Sequence, residues 1–458
     1  MIYDSINLDT QSKTPLYIQL YSSIRSNIES GVIGEGEKLP SIRKMSEGLS
    51  VSRSTVETAY AQLSAEGYIE PRPQSGYYAG AGISGGHAAA SEYTSGTAAE
   101  RSDARYSFAS DYIDSSASDV ARWRKHVRAV LIEEEQTSSY GYPQGEFELR
   151  RQLVRYCSTV RGVVSDSDRI IIGAGIQPLL CILCGILGEE ATSVGIEADG
   201  FLKAERVFSD FRLNIEKFTP DKHGIVPSQL KERGVPLLYL NALSSRNGGA
   251  MPVARRGQLL KWAEDSGAYI IEDDYNGELR YCTRPIPSLQ SIDTGGRVIY
   301  LGSFSKLLMP SVRISYMVLP AALSRVYRER MGSYNQTSSK IEQLALSGYM
   351  QSGELERQLR RLRKLYAEKS RLLTDELAKV LPQGSRIILH ETALRVICET
   401  PSDMTQEEIL AAARRNSVSF KLLESEEGRV RISLSFAGIP REDIAPAVRR
   451  VAMSIGVV

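Results

Sequence analysis

The stretch AGAGISGGHAAASEYTSGTAAERSDAR, residues 79–105, most constrains what this chain can fold into. Gly, Ala, Ser and Thr dominate it, and large apolar side chains are nearly absent. Such a segment buries too little apolar surface to offset the entropy of ordering it, so it reads as a flexible linker. It separates a head, residues 1–78, from a body, residues 106–458, and each part must build its own core. A chain of 458 residues is long enough for that.

Charge limits what the whole protein can hold. Lys plus Arg number 56 and Asp plus Glu 55, a formal net charge of +1. No overall basic field is available, so any hold on nucleic acid must come from charge placed locally. Five scattered cysteines (157, 181, 184, 282 and 398) argue against a disulfide framework and for a reducing compartment. Four histidines are too dispersed for a zinc spacing, so no metal is expected. The start, MIYDSINLDT, lacks a signal-peptide pattern, and no apolar run reaches the roughly 18 residues of a membrane span. The expectation is a soluble cytoplasmic protein with no membrane partner.

The head reads as three helices and a hairpin. Leu16, Leu20, Ile24 and Ile28 recur at i, i+4 spacing up to Gly31. Ser41 after Pro40 caps a short helix with Ile42, Met45 and Leu49 turned inward. Ser52 opens another, with Val56, Ala59, Tyr60 and Leu63 on one face and Gly67 as its stop. Tyr68–Glu70, a turn over 71–76, and Tyr77–Tyr78 suggest a two-stranded wing. Two helices joined by a tight turn form a pattern whose second helix enters the major groove. Here that helix begins Ser52-Arg53-Ser54-Thr55. Its hydroxyls suit phosphates at a helix N-terminus, and Arg53 is long enough to reach a base edge. Lys38, Arg43, Lys44 and Arg53 focus positive charge on one face, although the head as a whole is acid-rich.

The body alternates short β-rich runs with helices. Strands are predicted at 169–172, 193–196, 236–240, 269–272, 298–301 and 314–319, an α/β pattern with a mostly parallel sheet. A long amphipathic helix spans Glu354 to Leu381, followed by a smaller α+β unit, about 354–458, with strands at 386–390, 393–398 and 429–436.

Four separated segments of the body point to one chemistry. Ser303-Phe304-Ser305-Lys306 follows VIYLG. A lysine there, partly desolvated, suits a Schiff base, while the serines and Arg313 suit a phosphate. Glu272-Asp273-Asp274-Tyr275 follows AYII, placing an acid where a ligand binds an α/β sheet. Gly173-Ala174-Gly175-Ile176-Gln177 lies before a helix expected from Pro178, where backbone N–H groups approach a phosphate. Gly200-Phe201 offers an aromatic ring for stacking. Each alone is weak. S-x-S-K by itself reads more readily as a surface lysine after a turn, and EDD is equally a capping cluster.

Residues 15–78, above all KLPSIRKMSEGLSVSRSTVETAYAQLSAEGYIEPRPQSGYY, resemble the winged helix-turn-helix of the GntR superfamily. The resemblance implies that Arg43, Ser52, Arg53, Ser54 and Thr55 face DNA and that Arg72 in the wing touches its backbone. The four body segments, with YGYPQGEFELRRQLVRYCSTVRGV and YLGSFSKLLMPSVRISY, resemble the fold-type I pyridoxal 5'-phosphate enzymes of the aspartate aminotransferase class. By that resemblance Lys306 forms the aldimine, Asp273 pairs the ring nitrogen and Tyr275 binds the ring oxygen. Ser303, Ser305, Arg313 and the backbone of Gly175 and Ile176 hold the phosphate. Phe201 stacks on the ring, and Tyr140 reaches a partner subunit's phosphate. Arg431 or its neighbour Arg429 binds an effector carboxylate. The run Asn241–Gly249 departs from the usual N-P-x-N-P-T-G segment.

Head, linker and body in this order resemble the MocR/GabR family of transcription regulators. The resemblance implies a homodimer, head to tail, on a double-stranded operator with two half-sites. An amino compound, D-alanine or another amino acid, would react at Lys306 and alter DNA binding, with at most a residual transaminase half-reaction. The alternative is an active aminotransferase carrying a DNA-binding head. Two further features stand apart: Cys181-x-x-Cys184, read as two buried helical thiols, and the basic run Arg357, Arg360, Arg361, Arg363 and Lys364, read as a solvated helix face.

Overall fold

A computed structural model describes residues 6–80, 104–109, 112–113, 115–198, 202–241, 250–274, 276–281, 286–390, 394–423 and 428–457. The chain separates into two compact units, 1–101 and 102–458. Most of the predicted linker, and with it Phe201 and Tyr275, lies outside the described residues.

The head is α1 (Leu16–Glu29), α2 (Ile42–Leu49), α3 (Arg53–Ala65) and the hairpin β1 (Ile69–Arg72) and β2 (Gly76–Ala79). Its core is the predicted one: Leu20, Ile24, Ile28, Met45, Val56, Ala59, Tyr60 and Leu63 are buried together. Ser41 and Ser52 cap α2 and α3 by accepting from the N–H groups of Lys44 and Thr55. The head runs past its expected end at residue 78. Ala79 is buried in β2, its N–H donates to Glu37 O, and Gly80 N–H donates to Tyr68 O.

The body opens with β3 (Tyr106–Ser107). Its main sheet contains β4 (Ile170–Gly173), β5 (Ser193–Glu197), β6 (Asn214–Phe218), β7 (Leu237–Leu240), β8 (Tyr269–Asp273), β9 (Val298–Ser303) and β10 (Ser315–Val318), in the order β4-β10-β9-β8-β7-β5-β6. All pairs are parallel except those of β10, which runs antiparallel to both β4 and β9. The sheet is therefore mixed. The patterning missed β6, which stands at the edge and alternates burial weakly. A helix expected from Pro178 starts at Ile176, with Pro178 in its first turn, where its missing N–H costs no bond.

The smaller sheet holds β11 (Arg386–His390), β12 (Arg395–Pro401), β15 (Arg429–Ser435) and β14 (Lys421–Leu422), in that order, while β13 (Val418–Ser419) pairs with β3. The long helix Glu354–Val380 packs Leu355, Leu359, Leu362 and Leu373 into one core with both sheets. In the basic run on this helix Arg357, Arg360, Arg361 and Lys364 are exposed, as expected of a solvated face, while two members also bond to the fold. Arg361 donates to Ser116 O and Ala117 O, and Arg363 to Glu278 O.

The turn YGYPQG closes the outer edge of β4. Gln144 donates to Asp168 O and Ile170 O, both at 2.9 Å, and Ile172 N–H donates to Gln144 O at 3.0 Å. Gly145 has φ +105, and a Cβ there would lie 2.6 Å from Ile172 Cδ1. Replacing Gly145 with Ala should therefore destabilise the body by more than about 1 kcal/mol, read as a lower thermal midpoint of the full chain.

Candidate functional site

The C-terminal rim of the main sheet gathers the predicted residues. Strand β8 ends in Glu272 and Asp273 with Asp274 next, and all three are buried. Their environments split their roles. Glu272 accepts from Leu289 N–H at 2.6 Å and Gln290 N–H at 3.0 Å. Asp274 is clamped by Arg161 through both carboxylate oxygens, at 2.5 and 3.1 Å, and by the Tyr300 hydroxyl at 2.6 Å. Among the described residues, Asp273 has one side-chain hydrogen-bond partner, the buried Tyr239 hydroxyl. Burial first pushes the Asp273 carboxyl up, to about 6, with Asp274 adding to the rise and the Tyr239 hydrogen bond opposing it. An acid of this kind, desolvated and held by a single phenol, gains from any cation brought against it.

Lys306 stands three residues beyond the end of β9 and is 5% exposed. Ahead of it, the hydroxyls of Ser303, Ser305 and Ser315 form a cluster, with Ser303 Oγ 3.1 Å from Ser305 Oγ and 3.0 Å from Ser315 Oγ. Arg313 adopts the left-handed conformation, φ 54, which is costly for a side-chain-bearing residue. Its guanidinium donates to Ala174 O at 3.0 Å. Gly175 caps the helix Ile176–Leu187 with φ 108, and a Cβ on it would collide with that guanidinium. The three hydroxyls, Arg313 and the free N–H groups of a helix start form a cradle that suits a phosphate.

The donor set fits pyridoxal 5'-phosphate: a buried amine, an acid with room for a cation, and an anion cradle that only glycine at 175 leaves open. Tyr140 is fully exposed beside a cleft of about 440 Å³ that also holds Thr337, whose hydroxyl accepts from Ala174 N–H at 3.0 Å. Tyr275 and Phe201, expected at the ring, and Ala242–Gly249 lie outside the described residues.

Sequence reasoning missed Tyr239, Arg161, Tyr300, Ser315 and Thr337. For Tyr239 a signal existed, since it stands one residue before the end of a fully buried strand. Arg161 ends the helix Phe147–Arg161 like any solvated last-turn base, and nothing local marks its 1% exposure. One expectation fails: Cys184 is buried, but Cys181 is exposed. Among the described residues no group of three or more His, Cys, Asp or Glu could hold a metal ion, and no helix is long and apolar enough to cross a membrane.

On the small sheet, Arg429 and Arg431 are both half-buried; Arg429 donates to Gly384 O at 2.8 Å, and Arg431 pairs with Glu399 at 3.1 Å. In the head, the Ser52 hydroxyl lies 2.8 Å from both the Ser54 and the Thr55 hydroxyls, which fixes the start of α3 with Arg53 exposed. Arg43 meets Glu47 at 2.9 Å in an exposed pair, weak enough to open toward a phosphate. In the wing, the Arg72 guanidinium lies 4.3 Å from the Tyr78 ring centre and Lys38 Nζ 5.6 Å. Two cations share one aromatic platform.

A family model described as bacterial regulatory proteins of the gntR family matches residues 16–78. The HTH-type transcriptional regulator YdeL of Bacillus subtilis (strain 168) is 36% identical over 447 residues, 95% of this chain and 96% of the relative. The probable rhizopine catabolism regulatory protein MocR of Rhizobium meliloti is 28% identical over 92% of this chain and 88% of its own. The kynurenine aminotransferase of Pyrococcus horikoshii, solved with PMP, has a TM-score of 0.68 at 24% identity over 78% of this chain and 92% of that one. That likeness shows an aminotransferase-like fold for the body.

The raised carboxyls set a pH dependence. Asp273 keeps its proton to about pH 6 in the fold but loses it near 3.8 when unfolded, so its contribution to stability falls as pH rises between those values. The thermal midpoint of Asp273→Asn, compared with the wild type, should therefore shift in the variant's favour from pH 4 to pH 6. Asp274→Asn breaks a buried ion pair and should cost about 3–5 kcal/mol by chemical denaturation.

Proposed function

Because the chain belongs to the MocR/GabR family of HTH-type transcriptional regulators, with a GntR head and an aminotransferase-like body, we propose that it is a pyridoxal 5'-phosphate-dependent regulator whose DNA binding answers to an amino compound. The observation that carries this reading is the sheet rim that brings buried Lys306, buried Asp273 and the serine–arginine cradle together. When bound, the cofactor supplies an aldehyde carbon for which Lys306 and an incoming amine compete.

The chain's own groups do the rest. Ser303, Ser305, Arg313 and the backbone at Gly175 and Ile176 hold the phosphate. Asp273, oriented by Tyr239, keeps a proton on the ring nitrogen. Tyr275 and Phe201 are expected to complete the ring contacts. An arginine of the small sheet takes the effector's acid end. The effector class is an amino acid, with D-alanine the first to try.

Tyr140, fully exposed, belongs with a partner subunit's cofactor in a head-to-tail homodimer. Exposed Leu131, Ile132, Tyr142 and Phe147, its neighbours in the sequence, supply apolar surface for such a contact. Arg43, Ser52, Arg53, Ser54 and Thr55 meet the DNA, and Arg72 its backbone. Two heads in one dimer then read two half-sites, each through few phosphates. The setting is cytoplasmic. Effector binding changes DNA affinity only by its differential affinity for the two states.

Two measurements test the reading. Cofactor-loaded protein, screened with amino acids, should change its absorbance and its operator affinity together, and Lys306→Ala should do neither. Amino transfer to a 2-oxo acid at ordinary enzyme rates, about 1–1000 per second, would instead favour a working aminotransferase with a DNA-binding head. On DNA, Arg53→Ala should cost about 1–3 kcal/mol and relax sequence preference. Arg72→Ala should weaken binding to all sequences and reduce the salt slope by about one.

A further inference from the structure

The wing of the head is joined at its root by a third stretch of chain. Residues 36–39, the lead-in to α2, run along the free edge of β2. Leu39 N–H donates to Tyr77 O at 2.9 Å, Ala79 N–H to Glu37 O at 2.9 Å, and Gly36 N–H to Ala79 O at 3.0 Å. Lys38 is bridged to Tyr78 on one side, as Glu70 is paired with it on the other. Alternation splits the two faces of this small sheet. Leu39, Ile69 and Ala79 are buried, and Tyr77 sets its ring edge against Tyr60 of α3, with centroids 4.9 Å apart. Half-buried Tyr78 belongs to the opposite face, with exposed Lys38, Glu70 and Arg72.

The Tyr78 ring carries both cations, Arg72 at 4.3 Å and Lys38 at 5.6 Å from its centre. Its hydroxyl meets the Ser75 hydroxyl at 2.6 Å, which ties the ring to the turn of the wing. Among the described residues neither cation is held by a carboxylate, although Glu70 stands across the strand pair from the ring. Two cations at one ring repel each other, and the negative face of the ring offsets that repulsion. What relieves the remainder is an anion. Long side chains normally lose rotamer freedom when they meet a phosphate, and here part of that ordering is already done. The lead-in is also tied to α3, because the Tyr60 hydroxyl donates to Pro40 O at 2.9 Å. A phosphate held at Tyr78 therefore bears on α3 through Pro40 and through Tyr77.

The geometry points to Lys38 as a second cation of the wing that contacts DNA, and to Tyr78 as the positioning residue that joins Lys38 and Arg72 into one grip on the phosphate backbone. Tyr78 acts through the two cations and reads no base. The grip rests on the DNA-binding head proposed above, in which Arg72 meets the backbone. It adds the partner of Arg72 and the group that holds the two together.

Phosphate contacts carry no sequence information, so the test needs no operator. Full-length protein is titrated onto a fluorescein-labelled random-sequence duplex at several salt concentrations and read by anisotropy. Lys38→Ala should lower the slope of log affinity against log salt by about one per head, as Arg72→Ala does. Tyr78→Leu leaves both charges in place, so it should weaken binding about fivefold or more with the slope kept. Tyr78→Phe keeps the ring and should restore the affinity. In a protein that already carries Lys38→Ala and Arg72→Ala, adding Tyr78→Leu should change the affinity by less than about twofold. A residue that only maintains the fold of the wing would weaken binding in that background too, and this result overturns the grip. A wild-type affinity in Tyr78→Leu, or an unchanged slope in Lys38→Ala, overturns it as well. If Tyr78→Leu fails to fold, judged by its melting curve, the cation variants decide: the double variant should lose less than the product of the single losses, and independent losses overturn the grip. Wild-type protein that does not hold the duplex even at low salt sinks the DNA-binding head, and the grip with it.

Discussion

Burying three consecutive carboxyl groups at the end of one strand is the constraint around which the body is arranged. Each must be answered separately, because a low-dielectric interior does not tolerate three like charges within a few ångströms. Glu272 folds back onto two backbone N–H groups, and Asp274 is locked to Arg161 and Tyr300. That leaves Asp273, among the described residues, with a phenol and no cation. The site acid is selected by what its neighbours already hold. A fully matched Asp273 would have nothing to give a ligand, and an unmatched Asp274 would open the strand end to water.

Much of this was legible in the sequence, for physical reasons. The head is read from local periodicity and caps, and Ser41 and Ser52 cap as the spacing requires. Lys306, Asp273 and the Gly-rich turn are legible because each ends or follows a strand of the main sheet, where short motifs carry the information. Partners brought from far along the chain are not. Arg161 and Asp274 lie 113 positions apart, and no pattern at either end encodes the meeting. The edge strand Asn214–Phe218 was missed because an edge neither needs nor shows a continuous apolar run. The exposed Cys181 was misread because the helix it sits on is apolar nearly all round, while only one side meets the core.

The near-zero net charge has a related explanation. The basic residues near the start of α3 are few and placed locally, and several cations elsewhere serve the structure. Arg150, Arg161 and Arg256 are buried and donate to backbone carbonyls or buried acids. A count of charges treats these as equivalent to Arg53, but only the exposed ones project a field.

The reversed strand β10 carries a consequence for how the body is made. It alone pairs β4 to the sheet, joining Gly173 to Ser315 and Ser315 to Ser303. A chain emerging from the ribosome therefore finishes β4 long before the strand that will receive it exists. During that interval one side of β4 is covered only by the Gln144 turn, and the other presents bare N–H and C=O groups. The residues gathered on both sides of that seam cannot meet before β10 has been made. A phosphate compound present during synthesis would then act as a template for the seam, favouring its closure over pairing with another nascent chain.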